Sequence, residues 1–176
     1  MILAAIDIGS NAARLLITEV TVTEKKTLFE KLNLVRVPLR LGFDVFDRKE
    51  ISPEKESMFL NCIRSFKYLM DAYGVTHCKA AATSAMRDAR NSAEIIDSIR
   101  KATGIEIEVI SGDDEASFIY ENHIAENLDK ENAYLYIDVG GGSTELTCFA
   151  DNRLLFKKSF NIGTIRLIKN QVTEAH

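Results

Sequence analysis

Two short stretches of this 176-residue chain carry the same combination of side chains. Ile6-Asp7-Ile8-Gly9-Ser10-Asn11 and Ile137-Asp138-Val139-Gly140-Gly141-Gly142 each run from an apolar segment into an aspartate, one apolar residue and a turn of small residues. In both, a second β-rich run follows, at Leu15–Val22 and Glu145–Phe149. A P-loop or a dinucleotide fingerprint would need a helix there. A strand–turn–strand of small residues instead lets backbone N–H groups converge on an anion with no side chain in the way. An aspartate beside such a turn can hold Mg²⁺, directly or through water, against phosphate oxygens. One glycine turn is an ordinary hairpin. Two with matched aspartates, about 130 residues apart, point to a duplicated fold whose halves face each other across a phosphate-binding cleft.

The elements that must position these turns are legible in outline. Ile2–Ile6, Leu15–Val22 and Thr27–Val37 read as three strands, and 41–49 reads as a loop. Ser52 suits an N-cap, with Pro53 at the first helical position and Gly74 as a stop. Between them Phe59, Cys62, Ile63, Phe66, Leu69, Met70 and Tyr73 recur at spacings of three and four, the core face of an amphipathic helix packed on a sheet. His77–Ala82 is a short apolar strand, 83–91 a polar turn segment, and Ser92–Thr103 a second helix closed by Gly104. Ile105–Ile110 is a further strand. Asp113-Asp114-Glu115 then opens a third helix, expected to run to about Leu128, where acidic residues suit the N-terminal dipole. Asp129–Asn132 is a polar linker, so we divide the chain into a first unit, 1–128, and a second, 129–176. The second contains strands at Ala133–Asp138, Glu145–Phe149 and Leu154–Phe160, the last two a hairpin around Asp151-Asn152, and then a helix beginning at Thr164.

Composition excludes several classes. With 22 basic and 26 acidic residues the net charge is −4, and 46% of the residues are hydrophobic. These values describe an ordinary globular protein with no disordered, collagenous or disulfide-scaffold signature. Residues 1–90 carry a net +3 and residues 91–176 a net −7. An acidic chain is a poor general binder of duplex nucleic acid, although it can bind an anion where arginines, amides or a metal converge. No signal peptide or membrane span is expected, so the chain reads as cytoplasmic. Cys62, Cys78 and Cys148 form no C-x-x-C pair and read as reduced, mostly buried thiols. His77, His123 and His176 lack zinc spacing.

Four segments together resemble a known family. AAIDIGSNAARLLI (4–17), TSAMRDA (83–89), ISGDDEA (110–116) and IDVGGGSTEL (137–146) are similar to the exopolyphosphatase/guanosine pentaphosphate phosphohydrolase family of the actin-like ATPase superfamily. The resemblance implies an α/β, ribonuclease H-like first lobe with a mixed five-stranded sheet and flanking helices, plus the opening strands of a similar second lobe. It implies Mg²⁺-dependent release of terminal orthophosphate from polyphosphate, or of the 5′ γ-phosphate from guanosine pentaphosphate. Carried over by position, Glu115 activates the attacking water, and Arg87 is the arginine of the phosphate clamp. Asp138 and Glu145 serve the metal and the water, with Asp7 as the matching aspartate of the first turn. Gly9, Ser10 and Asn11, with Gly140, Gly141, Gly142 and Ser143, form the two phosphate loops. Two departures stand out: Asp114-Glu115 replaces the two glutamates often found there, and family members continue well beyond this length.

Phosphoryl transfer needs in-line positioning, cations to neutralise the equatorial oxygens and a group to orient water, and these residues can supply all three. Outside their motifs, Glu115 would read as dipole compensation, Arg87 as a surface ion-pair partner and Glu145 as an exposed strand residue. Arg14, Arg36, Arg40 and Arg90 extend a cationic path for a polyanion or are solvated surface charge. A kinase or ATPase of the same superfamily and a non-catalytic phosphate- or alarmone-binding module remain the alternatives. The complete protein is expected to be a homodimer. The 176-residue chain itself is expected to self-associate through uncovered strands and to turn over slowly.

Overall fold

The computed structural model describes residues 1–24, 26–121, 132–151 and 153–172. A three-strand meander opens the chain: β1 (Ile2–Ile8), β2 (Ala13–Val22) and β3 (Thr27–Val37). β1 and β2 are antiparallel, with Ile8 opposite Ala13 and Asp7 opposite Arg14. β4 (His77–Ala82) and β5 (Ile107–Val109) add parallel to β1, completing a mixed five-stranded sheet of order β3-β2-β1-β4-β5. Ile6 and Ile8 of β1 and Leu15 and Ile17 of β2 are buried at period two, as a sheet with one covered face requires.

Helix α2 (Pro53–Tyr73) buries Phe59, Cys62, Ile63, Phe66 and Met70, the stripe its periodicity predicts. Together with Ile95 and Ile99 of α4 (Ser92–Thr103) these residues join the strand side chains in one hydrophobic core. Gly74 ends α2 at φ +66°, and its N–H donates back to Asp71 and Met70. Ser52 stands at the N-cap position, but its side chain caps nothing. Its hydroxyl donates to the Asp44 carboxylate at 2.6 Å, its N–H donates to the same oxygen at 3.1 Å, and Lys55 lies 3.1 Å away. Burial raises the Asp44 pKa, but the Ser52 and Lys55 bonds outweigh it and hold the carboxyl below its ordinary range.

Several boundaries differ from the sequence reading. Residues 41–48, expected as loop, form α1 (Leu41–Arg48), in which Leu41, Val45 and Phe46 are buried. An element of eight residues is too short to display a helical period, and tertiary burial decides its state. Within 83–91, Ser84–Asp88 is a single helical turn, α3. β5 spans Ile107–Val109, shorter than expected. Of the cysteines only Cys62 is buried, its thiol pushed up to about 11 by desolvation. Cys78 is exposed and Cys148 half-buried, so the expectation of mostly buried thiols fails. Helix α5 (Gly112–Glu121) starts as predicted. Its continuation to Leu128, the proposed boundary at 128/129, residues 129–131 of the linker, His123, His176 and Asn152 lie outside the described residues.

A second, antiparallel sheet of order β6-β7-β8 comprises Ala133–Val139, Thr144–Ala150 and Arg153–Phe160, and α6 (Thr164–Ile168) follows. Helix α5 lies against β7 and β8, and Glu145, Thr147 and Phe149 of β7 are buried. Leu135, Ile137 and Val139 of β6 are exposed. No helix among the described residues is long and apolar enough to cross a membrane.

The Asp44–Ser52 contact is testable. A double-mutant cycle of Asp44→Ala and Ser52→Ala, read from urea midpoints, should give a coupling of about 1–2 kcal/mol. A Ser52 acting only as helix cap would give a coupling near zero.

Candidate active site

Because β1, β4 and β5 run parallel, their carboxyl ends share one edge of the sheet. There the Thr83 N–H donates to the Ile8 carbonyl at 3.1 Å and the Ile110 N–H to the Ala82 carbonyl at 3.0 Å. The segments that follow, 9–12, 83–87 and 111–115, therefore stand side by side at the position where open α/β sheets bind ligands.

The two glycine turns share one backbone design. Gly9 N–H donates to Ala12 O at 3.0 Å, and Gly140 N–H donates to Ser143 O at 2.9 Å. Each closes a strand pair, Ile8 opposite Ala13 in one and Val139 opposite Thr144 in the other. The remaining carbonyls turn toward a helix start. Gly42 and Arg40 N–H groups at α1 donate to Ser10 O and Asn11 O, each at 2.8 Å. Thr164 and Ile165 N–H groups at α6 donate to Gly140 O and Gly141 O at 2.9 and 2.8 Å. In a planar trans peptide the N–H points opposite to the C=O. Anchoring these carbonyls therefore aims the N–H groups of Asn11, Ala12, Gly141 and Gly142 the other way, where no hydrogen bond among the described residues engages them. Unused amides of this kind are what an anion-binding concavity is built from.

The turns also touch. A methyl group built on Gly142 would lie 2.2 Å from Ser84 Oγ, 2.5 Å from the Phe46 ring and 2.8 Å from Ser10 Oγ. Ser10 and Ser84 are themselves buried and share a 2.7 Å hydroxyl hydrogen bond.

Around this contact the charged residues gather. Helix α5 begins with a reciprocal cap: the Asp114 N–H donates to Ser111 Oγ, and the Ser111 N–H and hydroxyl donate to the Asp114 carboxylate. Asp114 is thus spent on the helix end, while Glu115 meets Arg87 at 3.4 Å. Arg87 also donates to Ile110 O at 2.7 Å. Glu145, expected on one reading to be exposed, is only 2% exposed and accepts a 2.7 Å bond from Ser159. Asp138 lies directly opposite it in the strand register, so the two share a sheet face. Asp7 forms a 2.8 Å ion pair with Arg14, which therefore belongs to this aspartate instead of a free cationic path. Burial, and then the negative charge of Glu145, push the Glu115 pKa up to about 7; Asp7 adds to this and Arg87 opposes it.

No group of three or more His, Cys, Asp or Glu among the described residues forms a ready metal cage.

The structure brings Asp7, Arg87, Glu115 and Glu145 into one electrostatic neighbourhood and the two turns into contact. Sequence reasoning missed Ser84, Ser159, Phe46 and Arg166. Ser84 lay within a quoted motif, whereas the others are ordinary residues of a strand or short helix, with no spacing signal.

The fold is that of an actin-like ATPase lobe joined to strands of a second sheet, with two facing glycine turns at the junction. Residues 20–175 match the Ppx/GppA phosphatase family. The chain belongs to that family. It is similar over its whole length to an exopolyphosphatase from Cytophaga hutchinsonii, at 30% identity and a TM-score of 0.85, covering 55% of that chain. A Ppx/GppA family member from Aquifex aeolicus is 28% identical with a TM-score of 0.78, over 96% of this chain and 54% of that one. A bifunctional 3-dehydroquinate synthase/phosphatase from Fusobacterium nucleatum is 36% identical over 172 residues, 93% of this chain and 25% of that protein. The chain thus spans about half the length of these solved relatives and a quarter of the curated one.

The raised Glu115 pKa carries a stability signature. A carboxyl whose folded pKa lies above its unfolded value favours the fold below about 4.5, and this contribution is lost as pH rises through about 7. Thermal melts should therefore show Glu115→Gln more stable than wild type above pH 7 and nearly equal to it below pH 4.5. Glu145→Gln should lower the Glu115 pKa, read by NMR titration of the side-chain carboxyl.

Proposed function

We propose that this chain carries the phosphate site of a phosphoanhydride hydrolase, with polyphosphate or guanosine pentaphosphate as the polyanionic substrate. The observation that carries this reading is Glu115. It is a carboxylate with a pKa raised to about 7, beside Arg87 and within reach of the charges of Asp7 and Glu145, on the strands next to the two turns. A base with a pKa near the working pH is suited to accept a proton from water while remaining deprotonated often enough to act.

In this reading the turn amides and Arg87 hold the terminal phosphoryl group. Water attacks its phosphorus, the P–O anhydride bond breaks, the water proton passes to Glu115, and the shortened chain departs with the bond's electron pair. Asp138 and Asp7 would hold Mg²⁺, and Glu145 would help orient the attacking water. The ion would neutralise negative charge on the phosphate oxygens. The residues present fit a substrate-bridged cation. Membership of the Ppx/GppA phosphatase family supports the reaction class. The chain should also self-associate, through edge pairing or exchange of the hairpin between copies, and a monodisperse monomer in sedimentation would overturn this.

The test is orthophosphate release from tripolyphosphate, guanosine pentaphosphate and ATP, measured in parallel with Mg²⁺. Release from the first or second supports the proposal. ATP turnover alone would favour a superfamily ATPase, and binding without release a non-catalytic module. Glu115→Gln should lower turnover by about 10²–10⁴ with binding largely kept, and Arg87→Ala should cost on the order of 10³. Wild-type turnover should rise with pH through about 7, as Glu115 deprotonates.

A further inference from the structure

Arg166 of α6 is only 6% exposed, and its guanidinium meets groups from three other parts of the chain. Its Nε donates to the Gly142 carbonyl at 2.5 Å, and Nη2 donates to Asp88 at 2.8 Å. Its guanidinium carbon lies 4.1 Å from the centroid of the Phe46 ring. Gly142 is the middle of the second turn, Asp88 follows Arg87 in α3, and Phe46 is the core residue of α1 against which Gly142 packs.

The comparison between the two turns shows what this contact replaces. In the first turn the last free carbonyl, Asn11 O, is held by the main-chain N–H of Arg40, which adopts φ +55°. In the second turn the corresponding carbonyl is Gly142 O. No main-chain N–H reaches it among the described residues, and the Arg166 side chain takes that place. Gly142 C=O and Ser143 N–H belong to one planar peptide unit, so holding the carbonyl on the α6 side aims the Ser143 N–H at the opposite side. Gly142 on the amino side of this peptide has no Cβ to restrain its ψ, so the peptide turns at little cost unless its carbonyl is held from outside.

We propose that Arg166 is a positioning residue. It fixes the Gly142–Ser143 peptide so that the Ser143 amide faces the anion site, and through Asp88 it ties the second turn to the helix that carries Arg87. The proposal rests on the anion-binding reading of that turn. Lysine cannot replace it, since a single ammonium cannot reach the carbonyl and the carboxylate while stacking its plane on a ring.

The test uses this chain, labelled with ¹⁵N. In Arg166→Lys, the Ser143 amide should shift, and its hydrogen exchange should accelerate by about tenfold or more, with Asn11 and Ala12 of the first turn unchanged. Tripolyphosphate affinity with Mg²⁺, measured by calorimetry, should fall by about tenfold, as for loss of one hydrogen bond from a charged group. Asp88→Asn leaves the Gly142 bond but frees its anchor, so Ser143 exchange should rise by a few-fold; this variant decides the matter if Arg166→Lys does not fold. Unchanged Ser143 exchange in either folded variant overturns the proposal, because a merely structural ion pair would leave that one amide as it was. A wild-type chain that binds no tripolyphosphate would overturn the anion reading of the turn. The exchange comparison would still decide whether Arg166 holds its carbonyl.

Discussion

Gly142 lies where a side chain cannot go. A single methyl group there would collide at once with Ser84, Phe46 and Ser10, and Phe46 is fully buried and cannot yield. The absence of that carbon lets the second turn settle against the first, on the ends of β1 and β4. The buried Ser10–Ser84 hydroxyl pair, the Arg166–Asp88 ion pair and the seating of Ile165 beside Gly42 all occupy the space this contact defines. Two sheets that would otherwise be joined only through the chain acquire a shared, close-packed junction, and interiors packed at this density transmit small displacements.

Electrostatics at the junction follow from the same closeness. Three carboxylates act on one another there, and the most buried pair, Glu115 and Glu145, do so most strongly. Ser159 donates to Glu145, and Arg87 partly offsets the charge on Glu115. The site therefore carries a stored cost near neutral pH. A proton or a cation can relieve it, which is how functional sites commonly trade stability for chemistry.

The two turns are alike in backbone but unlike in charge. Asp7 faces Arg14 across its strand pair, whereas Asp138 faces Glu145 at the equivalent register. The first aspartate has an opposite charge across from it, while the second has a like one. Negative charge is thereby concentrated at the second turn, beside the glycines, and the duplicated design has two distinct halves.

Much of this was written in the residues themselves. The apolar run of β1, the β-branched run of β2, the three-and-four spacing of α2, and the pairing of Asp7-Ile8-Gly9 with Asp138-Val139-Gly140 are local signals, and local sterics and burial enforce them. The motif residues Arg87, Glu115 and Glu145 were named from the pattern they share with a family, and the fold places them within one electrostatic neighbourhood. Other features belong to the tertiary structure alone. Residues 41–48 are helical because Leu41, Val45 and Phe46 find a core to fill, and Ser52 turns from its cap to Asp44 because α1 brings that carboxylate within reach. Arg166 carries no spacing signal, since its three partners lie 24, 78 and 120 residues away in the chain. Its role, like the raised pKa of Glu115, arises from which groups the packing brings together, and periodicity along the chain does not encode that proximity.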